Sequence, residues 1–494
     1  MQIFVFFLFE FDVLQSLLNQ SSIFSICNFS LCELLKCSTF ATQMSIRKYI
    51  PYYKRNLRIA FPVMLTQLGA AIVGLADSIM VGHYSTVDLA AVSFANGIFF
   101  TFMVFVMGAM MGITPLVGHS FVRNEDERVG VLLENGLVFA FILSVLTCVI
   151  LGAVVPFIDM MGQDEQVAAV ARPYLITRII GLFPFIVFCL FKQFFEGLGN
   201  TTVAMVITIA MNILNIVLNY LFIYGVSISG EEYIPAMGAY GAGLASLMAC
   251  LLMPIIFIVV TLSKEQWRKY FRYFSLSHLS KSYFSELARV GFPIGAQTTM
   301  ETVLFTLSFI MVGWISKEAL AAHHIANQVA DFAFMLSLGV GSATTIRVAH
   351  QYGVRDYKAM RMASRASVHL VLVMNTVGAT LMITLRNVLP YLFTDDMNVV
   401  EIASPLLVYA GLFQFSDGLQ CVGAGMLRGI ADVKRPMIYA FIAYVVIALP
   451  LGYMLMFEAG IGVAGMWISF IIALSLAAVF FLSRFRKLAR GLQN

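Results

Sequence analysis

The sequence predicts an all-α integral membrane fold: twelve transmembrane helices in two parallel six-helix repeats. Three observations carry this expectation. The 494 residues are 60% hydrophobic and 12% charged, with a mean hydropathy of +0.87, which excludes an ordinary soluble domain. The apolar residues fall into twelve runs, each near the roughly 20 residues needed to cross a bilayer core. The chain also repeats itself at a spacing of 231 residues. Ile79-Met80-Val81-Gly82 returns as Ile310-Met311-Val312-Gly313, Phe61-Pro62 as Phe292-Pro293, Leu89-Ala90-Ala91 as Leu320-Ala321-Ala322, and Ala95-Asn96 as Ala326-Asn327. Gly108, Thr114 and His119 return as Gly339, Thr345 and His350. Duplicated halves made of apolar helices are a signature of secondary transporters.

In chain order the spans are expected at 57–82, 91–117, 131–156, 168–194, 203–226, 238–262, 287–315, 321–347, 366–392, 402–426, 436–458 and 462–483. Barrel strands would show alternation over about ten residues, so strands are set aside. Six spans per half is an even number. The second copy therefore enters from the same side as the first, and the repeats are parallel rather than inverted. Gly and Ala through the spans permit close helix contact. Pro62, Pro184, Pro293 and Pro450 allow kinks.

Net charge +4 does not imply nucleic acid, because the cations follow topology. Twenty-six Lys and Arg lie in segments assigned to one side: 47–58, 123–128, Lys192, 264–289, 347–365, 428–435 and 484–490. Arg172, Arg178, Lys317 and Arg386 lie in or near the other. Positive loops stay in the cytoplasm, so the expectation is an inner (plasma) membrane protein with cytoplasmic N- and C-termini and the bilayer as its partner.

The division expected is an N-terminal extension over 1–43, a first lobe over 44–263, a cytoplasmic linker over 264–286 and a second lobe over 287–494. The extension lacks the basic start of a signal peptide. Met44 opens a basic lead-in to the first span, so it reads as the start. Cys148, Cys189, Cys250 and Cys421 sit in apolar spans as small hydrophobes. Cys27, Cys32 and Cys37 have no metal-ligand spacing.

An acid in hydrocarbon costs at least about 2.5 kcal/mol on insertion scales and marks a functional candidate. Asp77 lies in the outer half of span 1, Glu301 near the middle of span 7, Asp331 in span 8 and Asp417 in span 10. Their mates at 231 residues are Ser308, Ala70, Phe100 and Ile186. The framework is duplicated and the acids are not. A structural alternative, an acid bonded to Ser, Asn or Gln, stays open for each and most of all for Asp331. Asn215 and Asn219 share a helix face at i, i+4, able to coordinate a cation or to join helices; Asn212 lies on the same span. Gln67, Gln297 and His323-His324 are weaker candidates. Arg178 in span 4 balances an acid or reaches the outer surface.

The chain from Met44 onward resembles the multidrug and toxic compound extrusion (MATE) family, NorM-like branch. The carriers are Gly74-Leu75-Ala76-Asp77-Ser78-Ile79-Met80-Val81-Gly82, Arg178 through Pro184, Asn215 through Asn219, Ala321-Ala322-His323-His324, Gln414 through Gln420 and Leu427-Arg428-Gly429. The resemblance implies a V-shaped pair of lobes around a cleft and antiport of cationic organic compounds against Na+ or H+. It implies that Glu301 and Asp417 bind the coupling cation, Na+ included, and that Asp77 serves the N-terminal lobe. Asn219 stands where the proton-coupled branch has Asp, and Phe413 where NorM-like members often have Tyr. Candidate substrate or cation contacts are Asn215, Asn219, Asp331, Gln67 and Gln297. No cofactor, no nucleic acid and a functional monomer are expected. Two other classes remain to be weighed. A flippase for lipid-linked sugars would need cavity arginines for pyrophosphate, whereas the intramembrane set here is mainly acidic. A membrane transferase would need a metal-binding acidic cluster or HExxH; Asp395-Asp396 lies in an outer loop and no HExxH occurs.

Overall fold

A computed structural model describes residues 31–228, 231–275 and 278–492, with side chains from residue 48 onward except at 227, 228, 231 and 232. The expectation for residues 1–43 falls mostly outside these residues, as do the side chains of Cys27, Cys32 and Cys37. The chain divides into two units, Met1–Pro51 and Tyr52–Asn494; the first contributes the opening of helix α1 (Leu31–Tyr84). The second holds everything that follows.

Long helices succeed one another with short turns: α2 (Thr86–Met110), α3 (Ile113–Val122), α4 (Asp126–Val154), α5 (Glu165–Ile180), α6 (Leu182–Gly197), α7 (Thr201–Tyr224), α8 (Gly238–Ser263) and the short α9 (Glu265–Phe271) in the first half. The second half holds α10 (Lys281–Gly313), α11 (Lys317–Gly353), α12 (Tyr357–Thr384), α13 (Met397–Gly429), α14 (Lys434–Phe441), α15 (Leu449–Tyr453) and α16 (Val463–Gly491). α14, α15 and two π-helical segments, Ile442–Ala448 and Met454–Glu458, form one continuous span. In a bilayer each backbone N–H and C=O must be satisfied within its own segment, and the helix does this.

Among the described residues, ten helical segments are long and apolar enough to cross a membrane, and the bent pair α5–α6 makes an eleventh. The twelfth expected span is α10. Its 33 residues reach about 50 Å at the helical rise, but Gln297, Thr298, Thr299, Glu301 and Thr302 dilute its apolar run. The expected span 168–194 is broken, not straight. α5 and α6 meet at 44°, and the break at Gly181 follows from Pro184, whose ring excludes the carbonyl four residues earlier. Strands do occur, against expectation, outside the spans: β1 (Val226–Ile228) and β2 (Glu231–Ile234) form one antiparallel hairpin. The 264–286 segment is also more than a tether. Trp267 and Tyr270 of α9 are buried in the first half, Lys269 Nζ bonds Asp126 Oδ2 at 2.6 Å, and Asn135 holds the His278 carbonyl at 3.1 Å and the Ser280 N–H at 3.2 Å.

The repeat extends to the caps. Ser85 accepts the Asp88 N–H at 3.2 Å to start α2, and Ser316 accepts that of Ala319 at 3.0 Å to start α11, each supplying a partner to an orphan donor. Left-handed residues recur as well: Asn124 (φ 57) with Arg355 (φ 62), then Gly199 (φ 78) with Ala431 (φ 58). The first pair keeps the 231 spacing; the second is 232 apart. Asp164 and Asp396, the N-caps of α5 and α13, are 232 apart too. One extra residue has entered the second half before α13, so the mate of Asp417 is Phe185 and not Ile186. The mate is still apolar.

The two halves each have a core, and the first helix of each half crosses into the other's. Leu287, Val290 and Ile294 of α10 belong to the first core, and Ala60 and Met64 of α1 to the second. A Cβ on Gly108 would meet Gly295 Cα at 2.8 Å, and one on Gly112 would meet Gly291 Cα at 2.7 Å, so the backbone from α2 to the start of α3 touches that of α10. The mate of the first contact sets Gly339 of α11 against Met64 of α1, where a Cβ would meet the Met64 nitrogen at 3.1 Å. Small residues allow such approach without any hydrophobic drive between helices.

Candidate functional site: one polar cluster in each half

In the first half, α1 brings Asp77 against α7. Asn219, fully buried, donates its amide to Asp77 Oδ1 and also to Asn215 Oδ1, the latter at 3.2 Å. The i, i+4 spacing thus places both asparagines on the face toward α1. Gly69 makes the approach possible, since a Cβ there would stand 3.2 Å from the Asn212 amide nitrogen. Arg178 of α5 supplies the counter-charge to Asp77, and its guanidinium carbon lies 4.6 Å from the centre of the Phe99 ring. Tyr174 donates to Asn96 at 3.0 Å. Asn212 Nδ2, Asn219 Oδ1 and Arg178 Nε are buried without a hydrogen-bond partner. Gln67 does not join this cluster. It lies ten residues before Asp77 on α1 and accepts from Lys192 Nζ at 3.4 Å, because about 1.5 Å of rise per residue carries it away.

In the second half, Asp417 of α13 is 1% exposed, and its Oδ2 has no hydrogen-bond partner. Glu301 and Asp331 both act electrostatically on it. Glu301, on α10, is half-buried; Asp331, on α11, is exposed. Three of the four acids thus interact through their fields in the second half, Asp331 among them. Gln297 sits one turn from Glu301 on α10, 2% exposed, with Nε2 unpartnered. Arg428 acts on Glu301 from the last turn of α13.

The scaffold around Asp417 is fixed by bonds that spare its carboxylate. Asn375 donates to the Gln414 carbonyl at 2.5 Å and accepts from Ser337 at 3.0 Å. Gln414 donates to the Ala330 carbonyl at 3.0 Å, and Gln420 to Tyr444 Oη at 2.6 Å. What remains is a row of unpartnered buried oxygens, Gln414 Oε1, Asp417 Oδ2 and Gln420 Oε1, at three-residue intervals along α13. Buried acceptors without donors favour a cation. Among the described residues no three His, Cys, Asp or Glu converge as a metal cluster. A cation here would draw on one or two carboxylates together with amide oxygens, the hard donors that suit an alkali ion. Phe413 contributes an aromatic wall with Trp467, ring centres 5.7 Å apart.

The repeat mate of Asp77 has a different use. Ser308 bonds His323 at 3.1 Å, and the His323 ring packs edge-on to Phe309 at 4.7 Å. His323 is thereby a buried packing residue. His324 is exposed one position on. Sequence reasoning assigned no role to Arg428, Gln414, Gln420, Tyr444 or Asn375. The first three lay inside motifs already singled out, where their polarity within an apolar span was the available signal.

The MatE family model matches this chain twice, over residues 62–221 and again over 293–454, so the two matches begin 231 residues apart. The chain belongs to the MatE family. This MatE chain is 31% identical over 444 residues to the probable multidrug resistance protein NorM of Rhizobium meliloti, covering 89% of this chain and 94% of the relative. It is 30% identical over 442 residues to the multidrug resistance protein NorM of Photobacterium profundum, covering 88% and 96%. Two solved structures share the MatE fold. The eukaryotic MATE transporter AtDTX14 superposes with a TM-score of 0.79 at 19% identity, covering 90% of this chain and 98% of that one. An outward-facing multidrug resistance MATE family transporter gives 0.80 at 20% identity, covering 90% and 97%.

Proposed function

We propose that this MatE protein is a multidrug exporter that exchanges cationic organic compounds for an inward-moving Na+ or H+. The observation that supports it most is the unpartnered carboxylate of Asp417, buried mid-span with Glu301 and Asp331 around it. Two acids stripped of bulk water bind a small cation strongly and prefer it to none. Glu301 and Asp417 hold the coupling cation. Asp77, with Asn219 and Asn215, forms the second polar locus in the other half. A compound bound between the halves and a cation bound within the second half each favour one arrangement of the halves over the other, which couples the two flows.

The flippase reading is weaker because Arg178 and Arg428 each face an acid and are committed as counter-charges. The basic loops support an orientation with both termini, and the end of the bundle carrying Arg123, Arg128 and Lys269, on the cytoplasmic side of the plasma membrane. The protein works as a monomer, since each chain holds both clusters, and it performs no covalent chemistry. The test is ethidium efflux from vesicles of the purified protein with Na+ and H+ gradients imposed separately. Efflux driven by one of them is expected; no efflux under either would overturn the reading.

A further inference from the structure

We infer that His119 and His350 form a paired latch between the two halves. They hold the basic end shut, and both must release for that end to open during transport. This rests on the reading of the protein as an exporter whose halves move against each other, but its main readout does not.

The two residues are repeat mates, 231 apart. His119 Nε2 donates to the Gly429 carbonyl at 2.8 Å, and His350 Nε2 donates to the Gly197 carbonyl at 2.8 Å. Each bond runs from one half to the other. The acceptors are equivalent as well. α6 and α13 end in the same cap: the Asn200 N–H reaches the Phe195 carbonyl and the Gly199 N–H that of Glu196, while Asp432 reaches Leu427 and Ala431 reaches Arg428. This paired pattern satisfies two end carbonyls of each helix. The carbonyls of Gly197 and Gly429, beside those caps, have their partner in the histidine of the opposite half. The negative end of each helix dipole strengthens that acceptor.

Ring contacts repeat the pattern. His119 packs on Tyr352 with centres 5.1 Å apart, and His350 on Phe121 at 5.9 Å; Phe121 and Tyr352 are mates too. Glycine at 199 keeps the seat open, since a Cβ there would stand 2.9 Å from His350 Cε1. At the opposite end of the bundle, Ala239 N–H to Asp88, Tyr224 to Met80 and Ser404 to Asn387 are bonds within one half. Two equivalent donors on two caps of the same hydrogen-bond pattern give a paired closure, and movement of the halves breaks both together.

The experiment places spin labels at Glu127→Cys and Lys358→Cys, exposed mates on opposite halves, in a chain with its native cysteines replaced. Their distance distribution is recorded by pulsed electron resonance in lipid. His119→Phe and His350→Phe keep an aromatic ring and remove the donor. His119→Gln and His350→Gln keep an amide donor near the position of Nε2. Removing one neutral hydrogen bond shifts a two-state ratio about fivefold. Each Phe variant should raise the long-distance population about that much, the double Phe variant more, and the Gln variants should stay near the parent. Monodisperse elution and an unchanged thermal midpoint establish folding; a variant failing this is judged from its Gln counterpart and the other site. Distributions identical to the parent in the Phe variants, or Gln variants as open as Phe, would overturn the latch. If the parent exports nothing, the exporter reading falls while the distance data still judge the latch.

Discussion

Asn219 and Asp77 are joined side chain to side chain across α7 and α1, while the mate of Asp77 in the second half, Ser308, is bonded to His323. One ancestral position has become a carboxylate held by an amide in one half and a hydroxyl on a packed imidazole in the other. The halves share a frame and give this position different partners.

Removing the amide tests that difference. Asn219→Ala leaves Asp77 without its donor, at a cost of about 1.5–3 kcal/mol for a bond to a charged group. Ethidium efflux should fall at least tenfold while radiolabelled Na+ binding persists. Asn219→Asp should behave differently. Two carboxyls in hydrogen-bond contact share one proton, so efflux should shift toward dependence on the H+ gradient. Loss of Na+ binding in Asn219→Ala would contradict the separation of the two clusters.

The second cluster predicts a graded series. Glu301→Gln and Asp417→Asn should each abolish gradient-driven efflux at matched expression, since each removes a carboxylate from the proposed cation site. Asp331→Asn should slow efflux without abolishing it, because Asp331 is exposed and acts on Asp417 only through its field. Wild-type rates from either of the first two would remove the coupling role. A null phenotype at Asp331 would make it a third cation ligand.

Packing between the halves predicts an asymmetry. Gly295→Leu must displace the Phe105 carbonyl, which a Cβ would meet at 2.5 Å, and overpacking of this kind costs about 1–3 kcal/mol or more. Its mate Met64→Leu conserves volume and should cost under about 1.5 kcal/mol. Thermal unfolding in detergent should show a clear drop for the first and little change for the second. Equal losses would mean that the close contact does not hold the halves together.

Topology is checked directly. Reporters placed after Asn494 and in the 264–286 segment should both read cytoplasmic, since the two flank an even number of crossings and carry dense positive charge. A signal from the far side at either site would overturn the orientation.

The sequence by itself determined the helices, the duplication and their direction, because each rests on local or periodic information. Apolar length selects a spanning helix, repeat spacing selects the parallel arrangement, and Ser85, Ser316, Asp164 and Asp396 cap where short-range chemistry places them. It also singled out Asp77, Glu301 and Asp417 as candidates, since a charge in hydrocarbon is costly wherever it points. Only the tertiary structure decided which polar groups meet. Asp331 came within the field of Asp417, and Gln67 took Lys192 as its donor, through helix placement that hydropathy does not encode. The exchange of α1 and α10 between cores arises where helices touch. In lipid that touching is set by small residues and side-chain bonds rather than by apolar burial, so apolar pattern alone does not reveal it.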